Sequence, residues 1–321
     1  MEIFSHNSNI HFLGLRKFSV GLAAALMIAS IVILAIRPLN YAQDFTGGVS
    51  LEVNYTQPVA TGDVRDALEK GGIENPLVQS LGGTKRVQIR MQAKGDTHNP
   101  PKDDGKVNLD LIAADVQKAL QTSRPDAHVT SRSYVSAQVG EQLRSSGIYA
   151  AIFVIIGIGV YLWIRFERRF AIAALATEVH DVLVTLGIIA LVQREFDMTV
   201  LASVLAVIGY SINDKVVVFD RIRELFRLAR KADPEEILNR SINSTLSRTI
   251  ITSLFTAIAM ASLYFFGGPA VHGFAITMLI GILVGTLSSI FVASPILLWL
   301  GVSKKDLMPV TKENPELARR P

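Results

Sequence analysis

Long apolar stretches constrain this chain more than any other feature, because half of its 321 residues are hydrophobic and these are grouped into runs. Each run is long enough to cross a hydrocarbon core of about 30 Å as a helix. The six runs cover residues 19–36, 147–164, 171–192, 198–219, 249–266 and 274–300. A signal peptide is the alternative for the first run, but no small-residue cleavage site follows it. The sequence therefore predicts a polytopic α-helical membrane protein with six transmembrane helices.

Lysine and arginine are distributed unevenly between these runs. Two, three, seven and five of them lie in residues 1–17, 165–169, 219–248 and 301–321, against one and none in residues 193–197 and 267–273. Because positively charged loops stay on the cytoplasmic side, both termini (residues 1–18 and 301–321) are predicted to be cytoplasmic. Residues 37–146 are then predicted to lie outside. The formal charge of +4 is explained by this topology and does not indicate nucleic-acid binding.

Residues 37–146 are long enough to form a domain between the first and second helices. Apolar patterning predicts strands at residues 49–55, 77–81, 86–91 and 128–134, with Gly82 and Gly83 in a hairpin turn. A first helix is predicted to begin at a Thr61 cap and to end at Gly71, and residues 94–106 are predicted to form a loop. A second helix has an apolar face formed by Leu109, Ile112, Val116 and Leu120. The resulting β-α-β-β-α-β order predicts an α+β ferredoxin-like domain.

The chain contains no cysteine. The external domain must therefore fold without disulfides, and cysteine-based metal sites and thiol chemistry are excluded. A histidine-based zinc site is not indicated either, because none of the histidines has the spacing of a zinc motif.

Charged residues inside the spans are the best candidates for function, because each is costly in a bilayer unless it is paired or hydrated. Asp214 lies in the fourth span, and Arg248 lies at the start of the fifth span near the same membrane boundary. If these two antiparallel helices pack together, the two side chains could meet, and a change in packing could load or release a proton. A permanent ion pair that only fixes helix register is the alternative.

Other polar residues accompany this pair. Asn213 and Lys215 flank Asp214, and we expect Lys215 to extend to the cytoplasmic headgroups, because it points about 100° away from Asp214. The third span contains Glu178, His180 and Asp181, whose carboxylates share one helix face. The sequence leaves two roles open for them, a proton path and hydrogen bonding between helices.

A stripe of small residues follows one face of the sixth span. It consists of Gly281, Gly285, Ser289 and Ala293. Small residues at this spacing allow helices to approach closely, so the stripe predicts an interface either within the chain or with a partner.

Several motifs together resemble one known family. The run Asp44, Phe45, Thr46, Gly47 and Gly48 after the first span is similar to the Asp-Phe-Thr-Gly-Gly motif of the SecD/SecF family. Residues 208–214 and 216–224 resemble the fourth-span motif of its SecF members, and residues 165–167, 180–181 and 247–249 also match. The chain is identified as a member of this family, within the resistance-nodulation-division superfamily, over about residues 16–300. It departs from the family at Lys215, a position that is often a small hydroxyl residue.

The resemblance implies a Sec translocon subunit in the bacterial inner membrane, with its external domain in the periplasm. Such a subunit pairs with SecD and uses the proton-motive force to promote export of unfolded polypeptides through SecYEG, after SecA has driven translocation. YajC and YidC are further implied partners, and the subunit also contacts membrane lipid. The resemblance implies no cofactor, protons being the coupling ion, and it assigns the proton relay to Asp214 and Arg248.

Two other functions are compatible with the sequence. The chain could be a scaffold subunit that stabilises SecD without moving protons, or a small-molecule or lipid exporter of the same superfamily. An enzyme is disfavoured, because the sequence contains no recognisable group of nucleophile, base and metal ligands.

Overall fold

The protein is described from a computed structural model that covers residues 10–73, 76–81, 83–91, 108–229 and 233–302. Within these ranges, six helices are long and apolar enough to cross a membrane, which agrees with the predicted polytopic helical protein. The predicted loop at residues 94–106, Gly82 of the predicted hairpin, residues 1–9 and residues 303–321 lie outside the described ranges.

Three of the six long helices form the centre of the bundle. The long helices are α1 (Arg16–Ile36), α5 (Ala137–Arg165), α6 (Arg168–Leu191), α7 (Met198–Leu228), α8 (Pro234–Phe266) and α9 (Pro269–Ser288), the last of which continues through a π-helical turn into α10 (Ser294–Trp299). About half of the apolar segment of α6, α7 and the last span is buried by protein, against about a tenth in α1, α5 and α8. Polar side chains on the buried faces of the three central helices are therefore shielded from lipid.

Helices α7 and α8 extend well beyond the predicted spans. At 31 and 33 residues they are about 45–50 Å long, whereas a hydrocarbon core is about 30 Å thick. Their extensions pack around an apolar core that includes Phe219, Phe226 and Leu238. The backbone N–H of Leu13, in a 3₁₀ turn before α1, donates to the Asn239 side chain at 3.1 Å. The polar segment between the fourth and fifth apolar runs is thus mainly a helical hairpin.

The last span contains a π-helical turn at Ser289–Ala293. A π turn holds one more residue than an α turn, so it widens the helix locally and changes its hydrogen-bond ladder. The Phe291 carbonyl accepts a hydrogen bond of 2.8 Å from the Ser19 hydroxyl of α1. This bond supplies a polar partner to an irregular backbone segment inside the bundle.

A four-stranded antiparallel sheet follows the first helix. Its strands are β2 (Gly48–Asn54), β3 (Leu77–Ser80), β4 (Arg86–Met91) and β5 (His128–Val135), in the spatial order β3-β4-β2-β5. Leu51 of β2 pairs with Ile89 of β4 on one side and with Arg132 of β5 on the other. Helices α3 (Thr61–Lys70) and α4 (Leu109–Ser123) complete the β-α-β-β-α-β element order expected from the sequence.

One face of this sheet is covered by the two helices. Leu51 and Ile89 from the strands and Leu68, Val116 and Leu120 from the helices are almost completely buried in a common core. The amphipathic patterns predicted this side of each helix correctly.

The predicted cap of α3 was wrong. Thr61 is the first helical residue, and Ala60 occupies the N-cap position without a side-chain hydrogen bond. A threonine that takes a helical conformation at the start of a helix no longer occupies the extended position from which a hydroxyl caps.

The base of the sheet domain is attached to the bundle by a second, two-stranded sheet. Strands β1 (Asn40–Tyr41) and β6 (Glu195–Phe196) pair in parallel, which joins the end of α1 to the segment between α6 and α7. Arg90 of β4 forms an ion pair with Glu195 at 3.2 Å, and its own side chain is 8% exposed. Burial raises the pKa of Glu195, and the Arg90 charge opposes this effect.

Replacing Arg90 should loosen this junction, and it should do so more at high pH than at low pH. The pKa of Glu195 is raised in the folded protein, so the favourable contribution of its protonated form is lost as the pH rises through that pKa. In Arg90→Met the ionised carboxylate is left without its cation, at a cost of about 1–3 kcal/mol. Compared with the wild type at the same pH, hydrogen–deuterium exchange of residues 40–48 should accelerate, and the difference should be larger above the raised pKa of Glu195 than below it.

Arg132→Met is the matched control, because Arg132 pairs with Asp110 on an exposed surface and such pairs contribute little. Equal exchange in the two variants, or a larger effect of Arg90→Met at acidic pH, would contradict the role assigned to the Arg90–Glu195 pair.

Candidate functional site

Helices α6, α7 and α9 bring five polar side chains together in the centre of the bundle. The Lys215 ammonium donates to Glu178 Oε2, Asp181 Oδ2 and the Ser211 hydroxyl, each at 2.8 Å. Asp181 Oδ2 also accepts hydrogen bonds of 2.6 Å from the hydroxyls of Ser211 and Ser288. These residues, with His180, are called the α6 cluster below.

The expectation for Lys215 was wrong. Its side chain is completely buried and pairs with Glu178 and Asp181, instead of reaching the cytoplasmic headgroups. The turn of about 100° from Asp214 points Lys215 towards α6, where two carboxylates lie in its path. A buried ammonium without partners would be costly, so these three charged groups stabilise one another.

His180 extends the α6 cluster on the side of α1. Its Nδ1 lies 2.9 Å from Asp181 Oδ1. Because an ionised carboxylate only accepts, Nδ1 is assigned as the donor. Nε2 is assigned as unprotonated, because an N–H there would be a buried donor without an acceptor among the described residues. His180 Nε2 and Glu178 Oε1 are buried and have no hydrogen-bond partner among the described residues. The cluster therefore has one unpaired acceptor at each end.

Asp214 lies on the other side of α7 and is not part of the α6 cluster. It is 3% exposed, and its Oδ2 atom is buried without a hydrogen-bond partner among the described residues. The positive charges that act on it are those of Arg248 and Lys215, and the Ser253 hydroxyl of α8 also interacts with its carboxyl group. Ser253 is itself linked to Tyr210 at 3.1 Å and to Thr286 at 2.7 Å.

The structure places Asp214 and Arg248 on neighbouring helices but does not join them directly. Both residues are described, and they form no ion pair within 4.0 Å. Arg248 is exposed on the surface of α8, and Asn213 is exposed on α7, away from both buried groups. The predicted relay pair is thus separated in this conformation, and Asn213 is not brought to the site.

The motif after the first span (residues 44–48) connects the sheet domain to the bundle through a hydrogen bond and a ring contact. Asp44 Oδ2 accepts a hydrogen bond of 3.1 Å from the backbone N–H of Met198, at the first turn of α7. Phe45 is buried against Phe196, with ring centroids 5.9 Å apart. Asp44 and Phe45 both belong to the short helix α2 (Gln43–Thr46). At its end, the Thr46 hydroxyl donates a hydrogen bond of 3.2 Å to the Ala42 carbonyl.

The two glycines of this motif have different reasons to be glycine. Gly47 has φ +70°, and a Cβ placed there would lie 2.8 Å from the Ala137 Cα. A Cβ on Gly140 of α5 would in turn lie 2.8 Å from the Gly47 nitrogen. Gly48 has φ +118° and begins strand β2. The close approach of two backbones requires both Gly47 and Gly140.

The small-residue stripe of the last span packs against α7 within the chain. A Cβ on Gly281 would overlap the Val207 side chain, and a Cβ on Gly285 would lie 2.8 Å from the Ser211 hydroxyl oxygen. Ser289 is buried, and its hydroxyl donates to the Thr286 carbonyl at 2.9 Å. The sequence left open whether this stripe forms an interface within the chain or with a partner, and the two glycines lie at an interface within the chain.

Gly281→Ala should destabilise the bundle by about 1–3 kcal/mol, the usual cost of an added methylene group in a packed interior. Val207 cannot move aside easily, because it is 1% exposed. Thermal unfolding of the full-length protein in detergent, followed by tryptophan fluorescence, should show the loss.

Gly209→Ala is the control on α7, since a Cβ there meets nothing within 4 Å. It should be neutral or slightly stabilising, because alanine is a better helix former than glycine. Equal stability of the two variants would show that the last span does not approach α7 this closely.

Comparison with known proteins gives consistent similarities along the whole chain. Residues 115–303 match the family described as "Protein export membrane protein SecD/SecF, C-terminal", and residues 32–59 match "SecD/SecF GG Motif". A relative from Pseudomonas aeruginosa, named "Protein translocase subunit SecF", is 40% identical over 300 residues, which are 94% of each chain. A relative of the same name from Escherichia coli O157:H7 is 38% identical over 310 residues, covering 96% of this chain and 93% of that one.

Similarity to solved structures extends to the arrangement of the helices. The crystal structure of SecDF, a translocon-associated membrane protein from Thermus thermophilus, has a TM-score of 0.81 and 29% sequence identity. The match covers 92% of this chain and 39% of that chain. The chain therefore spans less than half of the SecDF polypeptide but nearly all of the relatives named SecF.

Proposed function

Because the chain belongs to the SecD/SecF family, as its motifs indicated, we propose that it acts as a SecF subunit of the Sec protein translocase. The observation that carries this proposal is the agreement over 94% of its length with a relative of that name. In this role the subunit works with SecD and uses the proton-motive force to promote export of unfolded secretory proteins, after SecA-driven translocation through SecYEG. It needs no cofactor, and protons are the coupling ion.

The proton would bind at Asp214. The buried Oδ2 atom without a partner supports this assignment, because a carboxylate in a dry environment gains from binding a proton. Arg248 would provide the counter-charge when the helices move together. Their separation in the structure fits a relay better than a permanent ion pair, since a register-fixing pair would be expected to stay in direct contact.

The partner of this chain would be SecD. The matched SecDF chain is more than twice as long as the region it shares with this chain, so a second portion of comparable or greater size accompanies that region. The exposure of Arg248 on α8 leaves a charged group at the bundle surface, where a partner helix could shield it. SecYEG, YajC and YidC would be contacted through the assembled complex.

Co-purification from native membranes tests this partnership. A tagged full-length chain should recover SecD in roughly equal amount after mild detergent extraction, and a matched tag on an unrelated six-span protein should not. Failure to recover SecD while the chain still supports export would contradict the proposed partnership.

We further propose that the protein lies in the inner membrane with both termini in the cytoplasm and a ferredoxin-like domain in the periplasm. The strand order β3-β4-β2-β5 with both helices on one face supports the fold of the domain. The distribution of lysine and arginine supports the orientation.

Reporter fusions test this orientation directly. A reporter joined after Lys304 should be active only as a cytoplasmic reporter, and one inserted after Asn99 should be active only as a periplasmic reporter. Both positions lie outside the described residues, and each is separated from the six predicted spans. A cytoplasmic signal from the Asn99 fusion would overturn the topology.

A scaffold role without proton transport is the main competing function. It predicts that the loss of the Asp214 carboxyl group has no effect on export as long as SecD remains at its normal level. The exporter alternative instead predicts that small-molecule resistance, and not protein export, depends on Asp214.

A further inference from the structure

The α6 cluster contains more negative charge than positive charge. Two carboxylates, Glu178 and Asp181, share the single ammonium of Lys215, and all three side chains are at most 5% exposed. His180 Nε2 is buried without a partner among the described residues, so a second ring proton would be an unsatisfied buried donor, and the ring is assigned as neutral. With both carboxylates ionised, the cluster would carry a net charge of −1 in the middle of a membrane bundle, which is strongly unfavourable.

Asp181 and Lys215 have the partners that charged groups require. Asp181 accepts four hydrogen bonds, from His180, Lys215, Ser211 and Ser288. Lys215 donates to three oxygen atoms, which satisfies each of its three N–H bonds. The excess charge therefore does not reside on either of these two residues.

Glu178 is the group with unmet hydrogen-bonding capacity. Its Oε2 accepts from Lys215 at 2.8 Å, whereas its Oε1 is buried without a partner among the described residues. Glu178 also lines a cavity of about 180 Å³ between α5, α6 and α7, whose other walls are apolar and include Ile155, Ile158 and Ile208. An ionised oxygen buried beside such apolar walls is poorly solvated, whereas a carboxylic acid is tolerated.

We propose that the α6 cluster is a second proton-binding site of this protein, and that Glu178 Oε1 holds the proton. The proton adds to a lone pair of Oε1 and forms one O–H bond, and no other bond breaks. Oε2 continues to accept from Lys215, so the cluster becomes neutral without rearrangement. The adjacent apolar cavity provides no competing hydrogen-bond donor to Oε1.

The surroundings of Glu178 favour this assignment over the other groups nearby. Among the described residues, the titratable groups that face it are Asp181 on its own helix and Lys215 on α7. Helix α5 presents Ile155 and Ile158 to the same cavity, and α9 contributes the neutral Ser288 to the cluster. Asp214 lies on the other side of α7 from Glu178, so the two sites are distinct, although the charge of Lys215 acts on both carboxyl groups.

Infrared difference spectroscopy of the full-length chain in lipid nanodiscs tests this proposal without relying on export. The spectra are recorded in Asp214→Asn, so that the carboxyl group of the proposed relay does not contribute. Near neutral pH this variant should show the C=O stretching band of one protonated carboxyl group, shifted in D₂O. The band should be lost in Asp214→Asn/Glu178→Gln, in which the glutamine carbonyl can still accept from Lys215.

Each other outcome decides against the proposal. The absence of the band in the single variant Asp214→Asn, which retains Glu178, would show that Glu178 is ionised. Persistence of the band in the double variant would assign the proton to another residue. Loss of the band on adding Na⁺ at constant pH would identify a metal-cation site instead. A failed relay at Asp214 would leave the Glu178 band unchanged, so the two proposals fail separately.

Discussion

Asp214→Asn is expected to abolish the part of protein export that depends on the proton-motive force. Asparagine keeps the size and hydrogen-bonding capacity of the side chain but removes the group that titrates, so helix packing should persist while proton binding at this position stops. Export into inverted membrane vesicles should fall to the level seen after the proton-motive force is dissipated. The amounts of this chain and of SecD are measured on the same samples, to exclude a loss of assembly.

Asp220→Asn is the matched control, because Asp220 lies on the same helix but pairs with Arg165 at 2.7 Å on a partly exposed surface. It should leave export unchanged, as surface pairs contribute little. Arg248→Met should fail in the same way as Asp214→Asn, because Asp214 then retains its proton without a counter-charge. Full export by a variant that lacks both Asp214 and Arg248 charges would end the relay hypothesis and support a structural pair.

Lys215→Met should cause the largest loss of stability among single substitutions in the bundle. It removes the only ammonium of the α6 cluster and leaves Asp181 ionised and buried without a cation. Breaking a buried pair in this way typically costs about 3–5 kcal/mol. Thermal unfolding in detergent and the amount of protein in the membrane should both decrease.

The second substitution that restores stability identifies the charged partner of Lys215. If Glu178 is protonated, Lys215→Met/Asp181→Asn should recover most of the loss, because it removes the unpaired charge. Lys215→Met/Glu178→Gln should not, because it replaces a neutral group by another. Recovery by the Glu178 substitution, but not by the Asp181 substitution, would assign the charges the other way round.

The sequence predicted the existence and order of the helices well, because apolar runs of that length have few stable alternatives in water or lipid. The full lengths of the helices were not predictable from the same signal. Helix α8 begins at Pro234, whereas the apolar run begins near residue 249. The added residues lie outside the apolar stretch, where hydropathy is uninformative and where helix formation depends on packing against α7 and the 3₁₀ turn before α1.

The charged residues of the candidate site were predictable from the sequence, but the ion pairs that they form were not. Asp214, Glu178 and Asp181 were recognised because charges inside spans are costly. The partner of Lys215 depends on which helix lies beside its face of α7, and this is determined by tertiary packing. One signal was available in the sequence: the carboxylates of Glu178 and Asp181 share a helix face and lie near the depth of Lys215 on the next, antiparallel helix.

The π-helical turn at Ser289–Ala293 has the geometry of a one-residue insertion in an otherwise regular α-helix. Because the turn absorbs that residue, Ser294–Trp299 keeps the orientation it would have in a regular helix that is one residue shorter. Gly281 and Gly285 therefore face α7 before the turn and Leu297 is buried after it, although their spacing in the sequence is shifted by one residue. Deleting one residue within the turn should be tolerated, because it restores a regular helix without moving the final segment. A further inserted residue should rotate that segment by about 100° and turn Leu297 towards lipid.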